Sequence, residues 1–278
     1  MCLIALAWKC HPRYRLALIS NRDEFHARPT APAGPDPARP DVYGGRDLVQ
    51  GGSWLLASSR GRLAAVTNIR FGAGPPVAAR SRGELVRGFV ESDSGSPEWI
   101  ATLEARAGEY GRFNLLVWDG EELMFGGNHP QFTSHPVTPG LHAMSNGAFD
   151  APWPKSTHAT RALSGWLDTP PGARPGAGVA ASVDPLLDAL ADTTVAPDEA
   201  LPDTGVGVEI ERALSPPFIV GDTYGTRSST VILVDADSIR FAERRYGPQA
   251  AVLGESTVEL PVTAARQRPC ADISERIA

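Results

Sequence analysis

The stretch 2–24, Cys-Leu-Ile-Ala-Leu-Ala-Trp-Lys-Cys-His-Pro-Arg-Tyr-Arg-Leu-Ala-Leu-Ile-Ser-Asn-Arg-Asp-Glu, decides the fold. Residues 2–8 and 14–20 are apolar runs of strand length, and the polar segment from Lys9 to Arg13 between them gives the pattern of a hairpin. With the turn centred near His11, Cys2 is expected to pair with about Ser20. Strands rise roughly 3.3 Å per residue and antiparallel partners lie about 4.8 Å apart, so the residues just past Ser20 return to the neighbourhood of Cys2. Arg22 and Asp23 therefore belong to the electrostatic surroundings of that cysteine.

A cysteine at position 2 has a particular chemical possibility. Methionine aminopeptidases generally remove the initiator before a small residue, which would leave Cys2 first, with its α-amine on the carbon that bears the thiol. A nucleophile and a base of ordinary pKa about 7.7 to 8.0 would then share one residue. Arg22 would favour the thiolate, and the Asp23 carboxylate could orient the amine. The plain alternative is a small buried strand residue that happens to follow Met1.

The chain has 278 residues, 42% hydrophobic and 21% charged, with a formal net charge of -6. That is enough to bury a full core, and the expectation is a single domain over 1–278. Its 28 glycines and 25 prolines predict many loops without the composition of a disordered chain. No run approaches membrane-spanning length and no signal-type segment opens the sequence. The three cysteines, Cys2, Cys10 and Cys270, make neither an even disulfide set nor a metal spacing. A soluble protein of the reducing cytoplasm is expected. The acidic balance and scattered arginines speak against nucleic-acid binding.

Residues 28–40 are too proline-rich for a helix or central strand and read as an extended connector anchored by Arg28-Pro29-Thr30. The paired glycines Gly44-Gly45 and Gly51-Gly52 either line a pocket or make turns. A second hairpin spans 53–58 and 62–69, with Asn68 at its far end, where asparagine serves as a turn former or as a donor to a developing oxyanion. Helices are predicted from about Arg80 to Ser92 and from Pro97 to Ala107, both as packing elements. Phe113–Trp118 with Leu123–Phe125 forms a third hairpin, and a short strand at Leu141–Met144 ends in Ser145-Asn146-Gly147. Pro154 starts a helix to Leu167, the glycine- and proline-rich run 169–181 reads as flexible, and a short helix covers Pro185–Asp192. Residues 198–211 read as an ordered loop. Thr226–Val234 and Ser238–Tyr246 are the last strand pair, with Arg227 at its entrance, and the tail after about 247 is expected to be peripheral. Hairpins, then helices, then hairpins point to an α+β architecture of antiparallel sheets.

Met1-Cys2, Asn21-Arg22-Asp23-Glu24, Arg28-Pro29-Thr30, Gly51-Gly52-Ser53-Trp54, Thr67-Asn68-Ile69-Arg70, Trp153-Pro154-Lys155 and Tyr224-Gly225-Thr226-Arg227-Ser228-Ser229-Thr230 occur in the order seen in the NRDE family, also called transport and Golgi organisation protein 2. The resemblance runs from Cys2 to about Tyr246. The family in turn resembles the N-terminal nucleophile (Ntn) hydrolases, which implies an αββα sandwich of antiparallel sheets between helical layers. By similarity to the bile-salt and penicillin V amidases, Cys2 would be the nucleophile and Arg22 and Asp23 its tuning pair. Asn146 and Asn68 would correspond to the amidase asparagines and Arg227 to their late arginine. Arg22 and Asp23 are adjacent here, whereas the amidases separate the pair by two residues. The family is linked to haem trafficking and to lipid or acyl-CoA homeostasis.

Other chemistries have little in the sequence. His129, His135 and His142 lack a metal-ligand spacing with carboxylates. No Gly-x-Ser-x-Gly elbow or phosphate-cradling loop is present, and Gly205-Val206-Gly207 lacks its third glycine. The leading expectation is a hydrolase of a linear, non-peptide amide or of a thioester. In it Cys2 attacks, Asn68 and Asn146 donate to the oxyanion, and Arg22, Asp23 and Arg227 set charge and position, with no cofactor. The rival is a non-catalytic binding protein for haem or an acyl-CoA-like lipid on the same fold, in which Cys2 or a histidine could ligate iron.

Overall fold

The computed structural model of the protein describes residues 2–72, 78–169 and 182–262. Its organising hairpin forms as the apolar runs require: β1 (Cys2–Trp8) pairs antiparallel with β2 (Leu16–Phe25). The register differs from expectation by two residues, placing Cys2 opposite Arg22 and Trp8 opposite Leu16. The turn is wider than the apolar pattern suggests. His11 Nδ1 accepts the amides of Arg13 and Tyr14 at 3.2 and 3.1 Å, and the Tyr14 ring stacks 5.9 Å from Trp166 instead of extending β2.

The remaining strands are β3 (Thr30–Pro35), β4 (Val42–Asp47), β5 (Leu55–Ser58), β6 (Arg62–Asn68), β7 (Phe113–Trp118), β8 (Leu123–Gly127) and β9 (Thr133–Pro136), then β10 (Gly140–Met144), β11 (Tyr224–Val234), β12 (Ser238–Tyr246) and β13 (Val252–Pro261). They form a six-stranded sheet, β10-β1-β2-β11-β12-β13, and a seven-stranded sheet, β3-β4-β5-β6-β7-β8-β9, whose pairings are all antiparallel. Period-two alternation sorts the side chains into layers. Ile4, Leu6, Leu18 and Ile232 of the first sheet meet Leu55, Leu63, Leu116 and Trp118 of the second in one core. Leu3, Ala5, Ile19 and Val231 face the other way, against α3 (Pro154–Leu167) and α4 (Asp184–Leu190). Leu56, Val66 and Val117 pack beneath α1 (Gly83–Glu91) and α2 (Ser96–Ala101). The architecture is the αββα sandwich of the Ntn hydrolases. No helix among the described residues is long and apolar enough to cross a membrane.

Several local expectations are corrected. The proline-rich 28–40 segment contains β3, an edge strand, where missing amides are tolerated on the open side. Gly44 and Gly45 lie inside β4, since a Cβ on Gly45 would stand 2.3 Å from the Trp54 ring that covers it. Residues 198–211 include most of a short helix, α5 (Val208–Ala213). The segment after Gly247 holds β13, whose polar and exposed alternation is that of an outer strand. Of the run expected to be flexible, residues 170–181 lie outside the described residues, as do Cys270 and 263–278.

One glycine contact positions the site. A Cβ on Gly52 would fall 2.5 Å from the Gly83 carbonyl carbon, so the 51–54 turn and the start of α1 meet backbone to backbone, with Ser53 N–H donating to Gly83 O at 3.3 Å. Gly52→Ala is expected to lower stability by about 1–3 kcal/mol, read as an earlier denaturation midpoint in urea. An unchanged midpoint would mean that the turn and helix part freely.

Candidate active site

The ends of β2 and β6, the turn at 51–54 and the start of α1 enclose a cleft of about 380 Å³, lined by Arg22, Asp23, Glu24, Trp54, Asn68 and Arg82 among others. Cys2 is placed by its backbone, directly opposite Arg22. Along β2, Leu16 and Leu18 face the second sheet while Ala17 and Ile19 face the helices, so the consecutive residues Arg22 and Asp23 project to opposite sides.

Arg22, only 6% exposed, lays its guanidinium 4.2 Å over the Trp54 ring and stands 3.8 Å from the Glu24 carboxylate. Its Nη1 has no hydrogen-bond partner among the described residues. Asp23 is buried on the helix side, where Thr226 Oγ1 donates to it at 2.7 Å. Burial pushes its pKa up, against the opposing pull of Lys155, the Thr226 hydroxyl and Arg22. A carboxylate whose folded pKa is raised loses stability as pH climbs from the ordinary Asp value, about 3.9, through the raised one. Asp23→Asn lacks that titration. Its stability relative to the parent is therefore expected to rise as pH increases across this window, measured by urea titration at each pH; a difference flat with pH would show Asp23 to be as well solvated by its partners as in the unfolded chain.

The neighbouring members of the Asn21–Glu24 run do different work. Asn21, fully buried, donates through Nδ2 to Leu190 O and Pro217 O, both at 2.8 Å, and accepts Ser229 Oγ at 2.6 Å, fastening the helical layer to the sheet. Glu24 lies 3.8 Å from both Arg22 and Arg28, and Arg28 holds Asp47 in a two-pronged pair at 3.1 and 2.6 Å.

Asn68 and Asn146 come together, but not as two equal donors. Asn146, with no exposed surface, gives its Nδ2 to Asn68 O at 2.9 Å and to Asn68 Oδ1 at 3.2 Å. Both hydrogens of that amide are thereby used. The bond to Oδ1 fixes which way the Asn68 amide points and leaves Asn68 Nδ2 without a partner among the described residues, at the cleft wall. The turn carrying Asn146 is itself braced: Thr67 Oγ1 donates to Ser145 O at 2.6 Å, Asn114 Nδ2 to Gly147 O at 2.7 Å, and Asp150 accepts from Ala143 N at 2.9 Å.

Arg227 lies outside the cleft. It sits at the β-bulge between Thr226 and Ser228, and its Nη1 donates to the carbonyls of Phe25, His26 and Arg28 at 2.9, 3.1 and 3.2 Å, clamping the chain as it leaves β2. Burial, and then the nearby charge of Arg22, lower its pKa. The structure thus gathers Arg22 and Asn68 on the cleft, sends the Asp23 side chain to the helix side of the same strand, and sets Asn146 behind Asn68. Trp54 and Arg82 were not among the candidates. Trp54 was visible only as part of the 51–54 motif, and Arg82 was hidden in a segment read as packing helix, although two arginines and a serine at a helix start are a polar signal. No group of histidine, cysteine and carboxylate side chains able to hold a metal occurs among the described residues, and His142 instead pairs with Asp150 at 2.8 Å.

Residues 1–248 match the model of the family described as Transport and Golgi organisation 2. The human Transport and Golgi organization protein 2 homolog is 32% identical over 262 residues, covering 88% of this chain and 92% of that one. The Mus musculus homolog is 30% identical over 264 residues with the same coverage. Among solved structures, the C2A mutant of conjugated bile acid hydrolase from Clostridium perfringens shares the fold at 6% identity, with a TM-score of 0.52 and coverage of 93% of this chain and 92% of that chain. The chain belongs to the Transport and Golgi organisation 2 family.

Proposed function

We propose that the protein is an N-terminal cysteine hydrolase that cleaves a linear amide, or a thioester, of a small acyl substrate through an acyl-enzyme. The observation that carries this reading is the backbone pairing of Cys2 with Arg22, a residue of the cleft wall where Asn68 presents an oriented, unpartnered amide.

In this mechanism Met1 is removed and the α-amine of Cys2 takes the thiol proton. The thiolate, favoured by the Arg22 charge, attacks the substrate carbonyl, and Asn68 Nδ2 donates to the oxyanion. As the tetrahedral adduct collapses, the C–N or C–S bond breaks and the leaving amine or thiol takes the proton from the α-ammonium. Water then attacks the thioester with the amine as base, and the acid departs as the thiol is restored. Trp54 holds the Arg22 guanidinium in place, a cation–π contact that desolvation strengthens. Arg227 acts through the Phe25–Arg28 segment it clamps. A reducing cytoplasmic setting suits such a thiol.

The test is intact-mass spectrometry of the pure protein incubated with a panel of amides and thioesters. Loss of Met1 and an acyl adduct on Cys2 that decays with turnover are expected. Active protein that retains Met1 would rule the mechanism out. Haem added to the parent and to Cys2→Ala tests the binding rival, which predicts a thiolate-type absorption band in the parent alone.

A further inference from the structure

Beyond Arg22 from the cleft lies a second space, of about 140 Å³, between the two sheets. Three neighbouring strands align its floor in one row: Arg22 of β2 stands opposite Ser228 of β11, and Ser228 opposite Arg245 of β12. Their strand mates Leu18, Ile232 and Phe241 carry the core between the sheets, which puts the row on that same face. Trp54, Tyr246 and the 30–32 segment of β3 complete the walls.

Two polar atoms on this floor, Arg22 Nη1 and Ser228 Oγ, are buried with no hydrogen-bond partner among the described residues. Their residues are 6% and 4% exposed. Native interiors leave few such groups, and two side by side in one row point to something that accepts hydrogen bonds. Both can donate. The surrounding charge has the same sense: Arg22, Arg227 and Arg245 line the space against one carboxylate, Glu243. That carboxylate is already engaged by the Ala33 amide at 2.8 Å and lies 3.8 Å from Arg245, and burial favours its neutral form.

We propose that this space binds a carboxylate, held by Arg22 Nη1 and the Ser228 hydroxyl in the field of Arg245. At roughly 30 Å³ per water-sized group, the volume takes a carboxylate with only a few further heavy atoms. It is therefore a site for a small free acid, or for the head of a longer acid whose chain leaves past Leu253, one of the lining residues and largely exposed. Because Arg22 walls both spaces, an occupant here shares its charge with the cleft.

Acetate and octanoate, each titrated into the full chain at constant ionic strength against chloride, test the site by ligand-observed proton NMR. Saturable broadening is expected, weaker by about tenfold in Ser228→Ala, the loss of one hydrogen bond to a charged group, and weaker also in Arg245→Gln, which removes a lining charge. Tighter binding of octanoate identifies the head of a longer acid, and binding of acetate alone identifies a closed small-acid site. No saturation beyond chloride in the parent protein overturns the proposal, as does unaltered affinity in both variants with their melting transitions intact. If one variant melts early, the other and the parent titration still decide.

Discussion

Cys2→Ala is expected to keep the melting transition of the parent protein and to lose acyl transfer by roughly 10⁴-fold or more, the scale seen when a covalent nucleophile is removed. An uncleavable extension ahead of Cys2 is expected to do the same while leaving the thiol in place. The extension turns the α-amine into an amide, which accepts no proton at neutral pH, so the base is lost and the nucleophile is not. Stability should survive both changes, because the hairpin is held by Leu3 through Trp8 against two cores and position 2 is the last rung of its ladder. A binding protein on the same fold gives a different pattern: the extension would perturb ligand affinity only by crowding. Full turnover by the extended form, its sequence verified, would leave the fold as shared ancestry without shared chemistry.

The hairpin that carries Cys2 was readable because apolar strand runs flank a polar turn, and the pairing of β5 with β6 follows the predicted hairpin of 53–58 with 62–69. What could not be read were features set by partners distant in sequence. The two-residue offset opposite Cys2 depends on Tyr14 leaving the strand to stack on Trp166. Gly44 and Gly45 read as pocket or turn glycines because what requires a bare backbone there, the Trp54 ring at Gly45 and the Leu55–Leu56 backbone at Gly44, comes from the turn and strand that follow. β3 and β13 escaped notice as edge strands: β3 carries prolines, and β13 opens on the exposed pair Val252 and Leu253 before Gly254, so its apolar alternation is confined to Val258 and Leu260, which reach the core between the sheets. At the cleft, the nearness of Arg22 and Asn68 is shown, while the directions their neighbours take were not legible. Arg22 and Asp23 read as a pair, yet adjacency in a strand sends them to opposite faces. Arg227 read as part of the charged site, yet its contacts are backbone carbonyls.

Asn68→Ala is expected to reduce kcat by about 10²–10³ with KM little changed, the effect of losing one preorganised oxyanion donor. Asn146→Ala is expected to cost less, because its amide donates to Asn68 O and Oδ1 and not into the cleft. Without it the Asn68 amide can rotate and spends part of its time with oxygen, not nitrogen, toward the oxyanion. Asn146→Asp should be worse than Asn146→Ala, since a carboxylate cannot donate to either oxygen of Asn68 and repels both. The distinguishing measurement is the double variant. If Asn146 works by orienting Asn68, adding Asn146→Ala to Asn68→Ala changes kcat little further, a strongly non-additive cycle. Additive losses would instead make Asn146 an independent donor, which needs an amide hydrogen released from Asn68 when substrate binds. The single and double variants together therefore assign the oxyanion donor without a substrate complex, and they do so even if the preferred amide is known only as a surrogate.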